Sequence, residues 1–153
     1  MLGNIHHESW LNPGEWQKSD GNLDKGGYGI VQWDPSRRFF EWADITGINN
    51  DIIETANKMA MDNATQLMNL QLEFLLYACQ PAQREWLAGM GVSTYNFPYH
   101  MTFNDFISST NDMGELVAVF NGHYERSTDA ANGNNTLRIE HANYWYDYFK
   151  NWK

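Results

Sequence analysis

One glutamate near the start of this sequence has the surroundings that acid catalysis requires. In the segment LGNIHHES, Leu2, Ile5 and Ser9 fall on one face of a predicted helix. Glu8 lies one turn after Ile5, beside that face, so we expect its side chain to be partly buried. A carboxyl group held against apolar neighbours loses solvation of its charged form and can stay protonated near neutral pH. The residues around Glu8 therefore make it a candidate for general acid chemistry.

The segments after this helix must place the acid against a ligand. Asn12-Pro13-Gly14 is a strong turn signal that ends the helix and redirects the chain. The glycines of the segment 26–29 (GGYG) allow close backbone approach, and the segment 30–33 (IVQW) has the composition of a short strand. We expect a small β-hairpin beside the helix that carries Glu8.

Three motifs in a fixed order carry a resemblance to a known family. They are the pair Glu8-Ser9, the segment GYGIVQ at 27–32 and the segment VFNGHYER at 119–126. In this order they resemble the lysozyme domain found in tail proteins of bacteriophages that infect Gram-positive bacteria. Goose-type lysozymes and soluble lytic transglycosylases have a looser version of the same pattern. With the segments 101–103 and 142–146, the resemblance spans nearly the whole chain.

The resemblance implies a lysozyme-like α+β fold that is mostly helical, with the small β-hairpin beside the catalytic helix. The chain has 153 residues, which are enough for one domain with its own core, and no linker divides them. We therefore expect a single domain over residues 1–153. Family members usually have more residues before the catalytic helix. We therefore expect a domain cut from a longer tail protein, or an unusually short start.

The implied activity is hydrolysis of the β-1,4 bond between N-acetylmuramic acid and N-acetylglucosamine in peptidoglycan, with Glu8 as the acid. The motif fixes no second carboxylate, and the candidates are Glu15, Asp20, Asp24, Asp34 and Glu125. Asp20 and Asp24 are our first choices by analogy of position. The substrate-binding residues that the resemblance implies are Ser9, Tyr28, Gln32, Trp33, Asn121, Tyr124 and Glu125.

The sequence is also compatible with two other functions. In a lytic transglycosylase, the 6-hydroxyl of the muramic acid replaces water, and a single glutamate suffices. In a non-catalytic glycan-binding tail module, the fold is retained and Glu8 is vestigial. The presence of the acid argues against the second alternative.

The charge and composition of the chain limit its partners. A net charge of −9 argues against nucleic acid, which proteins bind by neutralising phosphates with lysine and arginine. It also argues against electrostatic capture by an anionic cell wall, so delivery by a tail assembly is expected. The expected partners are peptidoglycan glycan strands and other phage tail proteins or further domains of the same chain. The expected location is the virion.

Cysteine content and hydropathy indicate where the protein is made. Cys79 stands alone, which excludes an internal disulfide. We find neither a secretion signal nor an apolar run near the roughly twenty residues of a membrane span. We therefore expect synthesis in the host cytoplasm. Asp20, Asn22 and Asp24 alternate as in a calcium loop, but Lys25 and Val31 occupy the glycine and glutamate positions of that motif. No metal or cofactor is predicted.

The rest of the chain has helical patterns. One helix is predicted to open at Asp34-Pro35 and close at Gly47, and two more to begin near Asn50 and Asp62. A short helical piece is expected at 83–91. Thr102 and Asp112 are predicted caps for two further helices, the second running over 113–126. A final helix is expected over 136–152, with its periodic aromatic residues in the core.

Overall fold

The helical content dominates the computed structural model, which describes residues 1–17, 22–87, 99–127, 130 and 134–152. The prediction of a mostly helical chain is confirmed. Within these residues there are seven α-helices and one π-helix: α1 (Leu2–Ser9), α2 (Arg37–Trp42), α3 (Asn49–Asp62), α4 (Ala64–Ala78), α5 (Phe103–Ser108), α6 (Met113–Phe120), the π-helix (Asn121–Glu125) and α7 (Thr136–Lys150). The polypeptide falls into two compact units. We call Glu8–Leu76 the first unit, and Met1–His7 with Tyr77–Lys153 the second unit.

The predicted short strand over residues 30–33 is wrong. Residues 29–32 form a tight turn, closed where Tyr28 and Trp33 exchange backbone hydrogen bonds of 3.2 and 3.1 Å. Gly29 and Gln32 have φ angles of +80° and +53°, which bend the backbone away from extended geometry. In the described part of the chain, antiparallel pairing is limited to isolated bridges from Tyr28 to Trp16 and Trp33. The structure therefore shows single bridges where a β-hairpin was expected.

Aromatic side chains form the core of the first unit. Tyr28, Phe39 and Phe40 are fully buried. The ring of Trp16 lies 4.3 Å from that of Tyr28, between ring centroids, and Trp33 stacks on Phe39 at 5.3 Å and 11°. Aromatic rings of this kind bury large apolar areas and prefer offset or edge contacts. Two members of this cluster, Tyr28 and Trp33, are the residues that close the 29–32 turn.

The helices of the first unit begin close to their predicted positions, with one exception. α3 and α4 confirm the starts predicted near Asn50 and Asp62. α2 begins at Arg37 and not at Pro35, because Asp34 and Ser36 are engaged elsewhere. Asp34 Oδ1 accepts a hydrogen bond from the Gly26 amide at 3.2 Å, and Ser36 Oγ donates to the Leu23 carbonyl at 3.2 Å. The same helix ends at Trp42, well before Gly47.

The second unit contains two confirmed helix caps. Thr102 Oγ1 accepts from the Asp105 amide at 3.1 Å, and Asp112 Oδ1 accepts from the Gly114 amide at 2.8 Å. The predicted helix over 113–126 changes its hydrogen bonding at Asn121, where the π-helix starts. The piece predicted at 83–91 has no helix over its described residues 83–87. Its remaining residues lie outside the described part of the chain.

The predicted core position of the aromatic residues on α7 is mostly wrong. Ala142 and Arg138 are the residues of this helix that are buried, whereas Tyr144, Tyr148 and Phe149 are exposed. Helical periodicity alone does not distinguish a core face from an exposed aromatic face. Across the described residues, none of the helices has both the length and the apolar character that crossing a bilayer demands.

Candidate active site

The predicted acid lies at the end of α1, where the structure fixes the backbone tightly. Glu8 is half-buried, as the sequence predicts, and it is followed by the buried Ser9. Ser9 Oγ donates a hydrogen bond of 3.0 Å to the carbonyl of Ile30, inside the 29–32 turn. The residue next to the acid is thus attached to the glycine-containing turn, and the structure brings together these two predicted parts of the site.

Gln32, a predicted glycan contact, stabilises this turn through its side-chain amide. Its Nε2 donates to the carbonyls of Gly29 at 2.9 Å and Glu15 at 3.3 Å. Its Oε1 is buried and accepts no hydrogen bond from the described residues. The amide nitrogen therefore already donates to two backbone carbonyls, and the oxygen is the part of this side chain with hydrogen-bonding capacity left.

The two predicted aromatic contacts differ in exposure. Tyr28 is fully buried, and burial raises the pKa of its hydroxyl far above the ordinary value because the charged form loses its solvation. Trp33 is half-buried, stacked on Phe39 and in edge contact with Phe74 at 5.1 Å. Of the two rings, only that of Trp33 keeps some surface in contact with solvent.

The candidate second carboxylates have other partners. Asp24 is exposed and forms a two-point ion pair with Arg37, with 2.6 Å from Nε to Oδ1 and 3.2 Å from a terminal nitrogen to Oδ2. The hydrogen bond from Arg37 lowers the pKa of Asp24. Glu15 Oε2 accepts from Asn12 Nδ2 at 3.0 Å. Asp20 lies outside the described residues.

In the second unit, the predicted site residues of the 119–126 motif have buried side chains. Two of them bond to residues at or near the start of α7. Asn121 donates from Nδ2 to Asn135 Oδ1 at 2.8 Å and is completely buried. Tyr124 packs on Phe120, with 5.3 Å between ring centroids. Glu125 forms an ion pair with Arg138 of α7 at 2.7 Å, and both side chains are at most 5% exposed. These contacts join the π-helix to α7.

A comparison of the whole chain with known proteins identifies its family. The profile of the family described as phage tail lysozyme matches residues 1–149. The chain belongs to this family. It is also 33% identical over 153 residues to Morphogenesis protein 1 of Bacillus phage B103, in an alignment that covers 95% of this chain and 32% of that protein. The chain thus spans about a third of the length of this relative. Membership of the tail lysozyme family supports a peptidoglycan-lytic role.

A buried residue of α4 that was not predicted from the sequence of this tail lysozyme domain links the two turns near Glu8. Gln71 is completely buried; its Oε1 accepts from the amide of Ile30 at 3.0 Å, and its Nε2 donates to the carbonyl of Pro13 at 2.7 Å. A signal for it exists in the sequence, because Gln71 shares the helical face of the buried Leu67 and Leu75. A polar residue on an apolar face is buried only with its hydrogen bonds satisfied.

Proposed function

We propose that this chain is a muramidase that hydrolyses the β-1,4 bond between N-acetylmuramic acid and N-acetylglucosamine, with Glu8 as the general acid. The observation that carries the proposal is the hydrogen bond from Ser9 to Ile30, which holds the end of α1 against the 29–32 turn. In this arrangement a half-buried carboxyl group has a fixed backbone beside a turn that is built for close approach.

The chemistry follows from that of glycosidases. The protonated Glu8 donates to the glycosidic oxygen while the bond to the anomeric carbon breaks and positive charge develops on that carbon. A water molecule then adds to the anomeric carbon and loses its proton to a base. Asp20 and Asp24 remain our proposed candidates for that base. For Asp24, this role requires that the carboxylate leave Arg37 or act while it is paired.

The proposed glycan contacts divide into two groups. Gln32 and Trp33 are half-buried at the turn and are proposed to touch the sugar, Trp33 through its ring and Gln32 through Oε1. The others are buried. We propose that Ser9 and Tyr28 support the 29–32 turn in the first unit, and that Asn121, Tyr124 and Glu125 act by fixing the π-helix within the second unit.

A lytic transglycosylase is the second candidate, and the ion pair of Asp24 favours it. A carboxylate held at two points by Arg37 is less available as a base, and a transglycosylase needs only one glutamate. Mass spectrometry of the muropeptides released from purified Gram-positive walls separates the two reactions. Hydrolysis gives reducing muramic ends, and transglycosylation gives 1,6-anhydro ends.

The test of the proposed acid is the substitution Glu8→Gln. The amide keeps the shape of the side chain but cannot donate the proton, so wall lysis is expected to disappear while the melting temperature stays unchanged. Glu54→Gln, at an exposed position of α3, is the matched control and is expected to lyse walls at the wild-type rate. Lysis by Glu8→Gln at near the wild-type rate would show that the assignment is wrong. A wild-type domain that binds walls and releases nothing would indicate a non-catalytic glycan-binding module.

We also propose that the protein is made in the host cytoplasm and acts from the virion, at the phage tail, where it opens the wall locally. Its family and the name of its relative support this proposal, and its charge of −9 makes attachment to an assembly a better route to the wall than free diffusion. Detection of the protein in purified tails by mass spectrometry tests this location.

A further inference from the structure

We propose that Gln71 is a positioning residue for the reaction of Glu8, a role that rests on the proposed muramidase function. Gln71 lies on α4 and contacts two segments that are distant in sequence. It binds the turn after α1 through the Pro13 carbonyl, and the 29–32 turn through the Ile30 amide. One planar amide group thus sets the separation of these two turns.

The bond to Ile30 connects Gln71 to the acid. Both backbone polar groups of Ile30 form hydrogen bonds with side chains: Gln71 accepts from its N–H, and Ser9 donates to its carbonyl. Ser9 directly follows Glu8 in the chain. A path of two hydrogen bonds therefore leads from α4 through the turn to the residue beside the acid, and a shift at Gln71 moves the backbone that carries Glu8.

Gly29 shows how closely the turn approaches this side chain. A Cβ placed on Gly29 would lie 2.7 Å from Gln71 Oε1 and 2.8 Å from Nε2. Gly29 also has a φ angle of +80°, which disfavours any residue with a Cβ. The glycine therefore lets the turn pack against the amide, and the amide fixes where the turn stops.

The chemistry of the site favours glutamine over other side chains of similar size. The position needs one acceptor and one donor on the same group, and a glutamine amide supplies both. Methionine has a similar volume, no donor and only a weakly accepting sulfur. An ionised glutamate supplies two acceptors and loses the bond to Pro13, whereas a protonated glutamate has one donor and one acceptor and restores both bonds.

The first experiment compares Gln71→Met with Leu67→Ala, whose site is equally buried one turn earlier on the same face of α4. Both variants are expected to lower the melting temperature. Measured well below that temperature, Gln71→Met is expected to lower kcat for wall lysis by roughly 10²-fold with a much smaller change in KM, because small displacements of reacting groups are costly. Leu67→Ala is expected to keep kcat within about threefold of the wild type. A folded Gln71→Met with wild-type kcat would overturn the proposal.

The second experiment uses Gln71→Glu and remains informative if the methionine variant does not fold. Burial disfavours the charged carboxylate, so this variant is expected to regain kcat relative to the wild type as the pH falls and the new side chain takes up a proton. A constant ratio of the two kcat values across pH would also overturn the proposal. The parent proposal fails on other results: an active Glu8→Gln, 1,6-anhydro products, or a wild-type domain that releases nothing from walls. If Glu8→Gln is inactive and both Gln71 variants keep normal kinetics, Gln71 has no positioning role.

Discussion

The ion pair between Glu125 and Arg138 allows a quantitative test of whether Glu125 is a structural or a substrate-binding residue. The two side chains are 5% and 3% exposed, and Arg138 Nη1 lies 2.7 Å from Glu125 Oε2. The substitution Glu125→Gln keeps the shape of the side chain and removes its charge. Arg138 cannot lose its proton, so it remains a buried cation without this carboxylate. Removing one partner of a buried pair costs about 3–5 kcal/mol.

At about 2–4 °C per kcal/mol for a chain of this size, the expected fall in melting temperature is roughly 6–20 °C. Circular dichroism against temperature measures it, and titration with chitooligosaccharides measures glycan binding. The double variant Glu125→Leu with Arg138→Met removes both charges and is expected to recover much of the lost stability, because an apolar pair of similar volume avoids the desolvation cost. If Glu125→Gln melted within 2 °C of the wild type and bound glycans more weakly, the carboxylate would belong to the substrate site.

Three further outcomes are expected. Gly29→Val places a side chain at a φ of +80° and is expected to lower the free energy of unfolding, measured in urea, by roughly 1–3 kcal/mol because of backbone strain. It is also expected to weaken glycan binding. Gln32→Ala removes the two hydrogen bonds of the amide and is expected to lower the free energy of unfolding by about 1–2 kcal/mol. The variant is also expected to bind chitooligosaccharides more weakly. Unchanged affinity in titration would place Gln32 outside the glycan site. Burial, with a smaller contribution from His100, lowers the pKa of His123 from 6.5 to about 4, so the unfolded chain takes up the proton first. The free energy of unfolding is therefore expected to fall as the pH drops from 6.5 towards 4, and His123→Gln is expected to flatten this dependence in urea titrations.

The features that the sequence predicted correctly depend on residues close together in the chain. The caps at Thr102 and Asp112 bond to amides two or three residues away, so the pattern alone identifies them. The half-burial of Glu8 follows from the face of one short helix. Gln71, by contrast, bonds to residues 41 and 58 positions away, and no local pattern shows which backbone groups it will meet.

The failures have different physical causes. The β-branched residues Ile30 and Val31 favour a strand, but two positive φ angles and the bonds of Gln32 to nearby carbonyls turn the backbone there. The aromatic residues of α7 have the spacing of a core face, and spacing does not reveal whether another element covers them. For the 119–126 motif, the residue types suggested binding to the substrate. Their actual partners, Asn135 and Arg138, lie 13 or 14 positions further along the chain, so the motif alone does not reveal them.

The π-helix at 121–125 has a consequence for how this family can vary. Its wide turn, in which the Arg126 amide bonds to the Asn121 carbonyl, holds one residue more than an α-helical turn does. A deletion of one residue here would restore α-helical winding and rotate Glu125, the last residue of the π-helix, by about 100° about the helix axis. Glu125 would then face away from Arg138, so relatives that keep this buried pair are expected to tolerate substitutions in the segment but no change in its length.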